Sequence, residues 1–169
     1  MTVKVLYSEQ QIQKRVGEIG SAIREDAGEA GVVVIGILKG TTVFIADLIR
    51  QISGNVRYEF IDVMTDVSDT ETAAALEINF LAHFPIAGQK VYLLKDVVST
   101  GVIETYLLNQ LRQKGPKSLN LIALLDRPEL RTVPLEVDWA VFTVGDGTYV
   151  GYGLEHDHRY GNLPYLGVV

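Results

Sequence analysis

Two short turns in this chain have the residue types and spacing to hold a phosphorylated ligand. Lys39-Gly40 follows the apolar run Val32–Ile37, and Ser99-Thr100-Gly101 closes the stretch VYLLKDVVSTG at residues 91–101. A strand, a tight turn and a helix in that order point backbone N–H groups at an anion. The helix N-terminus adds partial positive charge, and a glycine lets the backbone come close. The second stretch is poor in carboxylates for such a site, because Asp96 is its one acid and Lys95 stands beside it. Each turn also has a plain reading: Thr-Gly joins strands to helices without any ligand, and Lys39 fits a solvated turn. Their shared place favours the ligand, since in parallel α/β sheets ligands collect at the carboxyl ends of strands, where two such turns face one crevice.

The elements that must position these turns follow from apolar spacing. Ile12, Val16, Ile19 and Ile23 fall at helical intervals after Ser8, a favoured N-cap, and predict a helix over residues 8–26. The β-branched run Val32–Ile37 predicts a strand buried on both faces, followed by a helix that ends at Ile52. Further strands are expected at residues 58–64, 76–80, 91–94, 118–125 and 139–144, with a helix over 104–114. Strands that alternate with helices imply right-handed crossovers and a mostly parallel sheet.

The stretch at 91–101 resembles the phosphoribosyl-diphosphate signature of the hypoxanthine-guanine phosphoribosyltransferases, and the resemblance covers essentially the whole chain. GILKGTTVFIADLIRQI at 36–52 matches their pyrophosphate loop and its helix, LLDRPELR at 124–131 their Leu-Leu-Asp-Lys-Pro segment, and YVGYGLEHDHRYGNLPYLGVV at 149–169 their terminal signature. The resemblance implies a type I phosphoribosyltransferase fold: one α/β domain over 1–169, with a mostly parallel central sheet flanked by helices and a small hood. It further implies purine salvage chemistry, phosphoribosyl diphosphate or a purine nucleotide as ligand, Mg2+ as cofactor, and assembly as a homodimer or homotetramer.

Where the chain departs from the family, it does so at ligand-contacting positions. The Glu-Asp pair that holds ribose and magnesium is Lys95-Asp96 here, and the aspartate proposed to take the proton of purine N7 is Ser99. A serine hydroxyl cannot serve as a carboxylate base. Ile103 replaces a hydroxyl residue of the 5′-phosphate loop, which leaves the backbone of Thr100, Gly101 and Val102 as the cradle. Glu136 aligns with the lysine that reads the purine 6-oxo group, which suggests a base bearing an exocyclic amine. Thr148 takes the place of the stacking aromatic unless Tyr149 supplies it. Glu155 replaces the magnesium-binding aspartate, Gly161 an arginine that Arg159 precedes by two positions, and Met64-Thr65-Asp66 the Ser-Ser-Tyr of an active-site loop. The site residues implied are Ser99 and Asp96 for catalysis, Asp96 and Glu155 for metal, and Lys39, Gly40, Lys95, Thr100 to Ile103, Glu136 and Tyr149 for the ligand. Lys95 reads either as a surface lysine left by a decayed site or as a cation standing in for magnesium charge. Two functions follow: a salvage transferase of weak or altered activity, or a nucleotide-binding regulatory or interaction protein that no longer catalyses.

Composition excludes other classes. A net charge of −6 over 169 residues, with no basic run, disfavours a nucleic-acid surface. The longest apolar run is too short to span a bilayer, so no membrane partner is expected. No cysteine is present, which removes disulfides and thiolate chemistry and fits a cytoplasmic protein. The acidic patch Asp66, Asp69 and Glu71 reads as a solvated loop, and His156 and His158 around Asp157 as a solvated cluster rather than a metal site.

Overall fold

The computed structural model of the protein describes residues 2–63 and 85–169. The expected strand at 76–80, the Met64-Thr65-Asp66 loop, the acidic patch and His83 lie outside the described residues.

Five strands form one parallel sheet: β2 (Val32–Ile37), β3 (Val56–Ile61), β4 (Lys90–Val98), β5 (Ser118–Asp126) and β6 (Trp139–Thr143), in the order β3-β2-β4-β5-β6. Every residue of β2 is buried, as its unbroken apolar run requires of a strand covered on both faces. Alternation along the strands divides the core. Val32 and Val34 of β2 and Tyr92 and Leu94 of β4 pack with α1 (Glu9–Ala27) and α2 (Thr42–Gln51). Val33, Ile35, Ile37, Val91 and Leu93 turn the other way, against Leu107, Leu108 and Leu111 of α3 (Val102–Arg112). The result is three layers.

Helix α1 begins where Ser8 predicts. The Gln11 N–H donates to Ser8 Oγ at 3.3 Å and the Ser8 N–H donates to Gln11 Oε1 at 2.9 Å, a reciprocal cap. Its apolar stripe, Ile12, Val16, Ile19 and Ile23, is buried. A second, antiparallel sheet caps the molecule in the order β1-β8-β7, from β1 (Lys4–Tyr7), β7 (Tyr149–Val150) and β8 (Leu166–Val168). This small hood joins segments from the two extremes of the numbering. Among the described residues no helix is long and apolar enough to cross a membrane.

Candidate active site

Two loops leave the carboxyl ends of adjacent strands β2 and β4, as the two turns predict. The first is held by its own residues. Thr41 Oγ1 donates to the Ile37 carbonyl at 2.6 Å, and the N–H and hydroxyl of Thr42 both donate to the Lys39 carbonyl, at 3.1 and 2.7 Å. The Leu38–Lys39 peptide is cis. Gly40 is required by close approach, because a Cβ there would collide with the Asp96 carboxylate.

The second loop is held from outside. Arg131 donates through Nη1 to the Ser99 carbonyl at 2.6 Å while Nη2 pairs with Asp126, and the Thr132 N–H donates to the Thr100 carbonyl at 3.0 Å. Gly101 has φ of +83°, and a Cβ there would lie 2.9 Å from both Arg131 Cδ and Leu135 Cδ2. Only glycine takes this conformation in this space. The N-cap of α3, Gly101, carries no side-chain cap, and the Val102 N–H reaches Thr100 Oγ1 at 3.5 Å; a helix N-terminus of this kind suits an anion. Ile103, where the family has a hydroxyl, joins the apolar core instead.

Between the first loop, the end of β4 and the hood lies a cavity of about 320 Å3, lined by Lys39, Gly40, Asp96, Val97, Tyr149, Gly153, Leu154 and Glu155, with Lys95 and Ser99 to Ile103 outside its lining. Five of the expected site residues thus share one crevice. Lys39 Nζ pairs with Glu155 Oε2 at 2.7 Å, and Lys95 Nζ pairs with Asp96 Oδ1, which also accepts the Val97 N–H at 2.8 Å. Tyr149 donates its hydroxyl to the Gly145 carbonyl at 3.0 Å; burial pushes its pKa above the usual tyrosine value, although nearby Arg127 pulls it down.

Arg127, within the LLDRPELR segment, was not among the expected site residues, yet it stands beside Tyr149 of the crevice. It follows β5 directly, its guanidinium carbon lies 5.8 Å from the Tyr149 ring centroid, and Nη2 pairs with Asp146 at 2.7 Å. The signal was available: Arg127 stands just past a strand's carboxyl end, as Lys39 does. Glu136, expected at the base, is elsewhere. It precedes β6, at the amino end of a parallel strand, and lines a separate cavity with Thr105, Leu108 and Arg112. An amino-bearing base therefore finds no Glu136 among the residues lining the crevice. Arg159 sits on a tight turn beside His156, Asp157 and Tyr160, lining another cavity, while Gly161 packs against Glu155.

The magnesium that the resemblance implies would fall to Asp96 and Glu155, and these carboxylates do not fit it as they stand. Each already holds a lysine ammonium. Among the described residues no group of three or more His, Cys, Asp or Glu is arranged to hold a metal.

A parallel sheet with a crevice at the carboxyl ends of its strands, under a small hood, is the architecture of a type I phosphoribosyltransferase. The family model for the phosphoribosyl transferase domain matches residues 2–157. The hypoxanthine-guanine phosphoribosyltransferase of Bacillus subtilis is 34% identical over 166 residues, covering 98% of this chain and 92% of the relative, and that of Streptococcus pneumoniae is 31% identical with the same coverage. A crystal structure of a hypoxanthine-guanine phosphoribosyltransferase from Bacillus anthracis superposes with a TM-score of 0.84 at 33% identity, covering 98% of this chain and 96% of the other. The hypoxanthine phosphoribosyltransferase of Trypanosoma cruzi gives 0.83 at 31%, covering 98% and 95%. The chain belongs to the hypoxanthine-guanine phosphoribosyltransferase family.

Proposed function

We propose that this protein is of purine salvage type, binding phosphoribosyl diphosphate or a purine nucleotide in the Lys39–Glu155 crevice, with transfer chemistry that is weak or altered. The observation that carries this reading is the convergence of Lys39, Gly40, Asp96, Tyr149 and Glu155 on one cavity at the carboxyl ends of the strands. Backbone N–H groups of the 99–102 loop and of the first turn of α3 cradle the 5′-phosphate, the Lys39 ammonium meets the diphosphate, and Asp96 accepts from the ribose hydroxyls. The Tyr149 ring offers a stacking face for the base. Arg127, a donor held over that ring, suits a 6-oxo group. Assembly as a homodimer or homotetramer belongs to the same reading; a matched Trypanosoma cruzi structure comes from work on how the C-terminal region bears on oligomeric state and activity.

The weakness of the chemistry rests on Ser99. Departure of diphosphate and attack by the purine nitrogen need a proton accepted at the base, and a hydroxyl is no base near neutral pH. Binding and orientation remain, and loss of a general base costs on the order of two to four decades in rate. The same observation favours the second reading, a nucleotide-binding protein that does not turn over. Mass spectrometry after incubation with phosphoribosyl diphosphate, magnesium and a mixture of bases separates the two. A nucleotide above the enzyme-free control establishes transfer and identifies the base. Binding by calorimetry without product, beside an active relative as control, establishes the second reading, and neither binding nor product refutes both.

A further inference from the structure

We propose that Lys95 is a built-in counter-cation beneath the phosphate crevice, so that a phosphorylated ligand binds here with little help from a divalent metal ion. The inference rests on the crevice being a phosphoribosyl diphosphate or nucleotide site, and it concerns what neutralises that ligand.

Lys95 shares the strand face of Val91 and Leu93, the face that α3 covers. Its side chain is 18% exposed and paired with Asp96, and its charge is felt by Glu104, buried in the first turn of α3. Burial pushes the Glu104 carboxyl up toward its protonated form, against its own N–H and the attraction of Lys95 and Arg131. Arg131 is satisfied by Asp126 and the Ser99 carbonyl, so the carboxyl ends of β4 and β5 hold two compensated ion pairs.

The family's Glu-Asp pair would put two carboxylates at successive positions of this strand. Two such charges repel a diphosphate unless a metal ion bridges them. Lys95-Asp96 needs no bridge, because one residue neutralises the other. The ammonium is covalently fixed, and it cancels the repulsion that Asp96 alone would exert on phosphate, in a partly buried place where screening is weak. The same logic extends to Lys39, which holds Glu155 across the cavity.

The test is calorimetric titration of the full chain with phosphoribosyl diphosphate and with GMP, in excess magnesium and in EDTA, for the native protein and for Lys95→Glu and Lys95→Gln. Native affinity should change less than about threefold between the two conditions, and Lys95→Glu should lose about tenfold or more in EDTA and regain it with magnesium. Lys95→Gln, which adds no repulsion to the floor, should weaken binding in EDTA more than magnesium restores. Circular dichroism confirms that each variant is folded; if Lys95→Glu is not, the native protein and Lys95→Gln decide the matter. A native protein that itself loses tenfold in EDTA, or variants that behave as it does, would overturn the inference while leaving the crevice as a nucleotide site. No binding of either ligand in any condition sinks the crevice reading, and the inference with it.

Discussion

Asp47 and Glu104 are both carboxyls on helices packed against the sheet, 8% and 4% exposed, yet their surroundings are opposite. Asp47, on α2, collects three donors: Tyr152 Oη at 2.6 Å, Gln13 Nε2 at 2.7 Å and the Arg50 guanidinium. Burial pushes its pKa up, and those hydrogen bonds outweigh the push and hold it below the usual carboxylate range. Glu104, on α3, has its own N–H and no side-chain donor among the described contacts, so burial dominates and its pKa rises. One carboxylate ties α1, α2 and the hood strand region into a single body. The other lies under the phosphate loop. Where a buried charge serves the fold it is fully paired; where it is left part-paired, it borders the site.

Removing the acceptor at the first site is the strongest way to test this contrast. Asp47→Ala leaves Tyr152 and Gln13 without their acceptor in the interior and should cost about 2–4 kcal/mol in urea unfolding; a loss below 1 kcal/mol, on the order of a surface substitution, breaks the comparison. Tyr152→Phe keeps Asp47 but deletes one donor and should cost about 1–2 kcal/mol. Its pH dependence sharpens the point. With a depressed native pKa, the Asp47 contribution is present above the unfolded carboxyl value near 4 and is lost as pH falls through the native one. Melting points followed between about pH 3 and 7 should therefore fall less steeply on acidification for Tyr152→Phe than for the native protein. Glu104 has the other sign: with a raised native pKa its contribution is complete below the unfolded value and is lost as pH rises through the native one. Glu104→Leu, the smallest change, should leave stability at neutral pH unchanged or raise it by up to about 1 kcal/mol, and a drop of the Asp47→Ala size would make the two carboxyls alike.

The scaffold was more legible in the sequence than the site. The Val32–Ile37 strand ends where its apolar run ends, and Ser8 starts α1 because its cap is local chemistry. Strand β4 runs past Leu94 to Val98 because its pairing with β5 continues to Val98 opposite Asp126, so polar residues continue a strand that an apolar criterion cuts short. Hood strands β1, β7 and β8 have two to four residues and no periodic pattern; only pairing with distant segments makes them strands. Arg127 and Arg131 fall within the matched LLDRPELR segment, but their roles were not legible there because their partners, Tyr149, Asp146 and the Ser99 carbonyl, lie elsewhere in the chain. Glu136 fails for the same reason, since alignment gives a residue's place along the chain and not the end of the strand on which it stands.

Lys4 of β1 pairs with Val168 of β8, and Tyr149 of β7 pairs with the same residue. Closing so large a loop has an entropic cost that the shorter β2–β4 and β4–β5 crossovers do not bear. The sheet is thus expected to form before the hood. Tyr149, Gly153, Leu154 and Glu155 form the hood side of the crevice, so the place for a ligand is complete only once segments from the two extremes of the numbering have met.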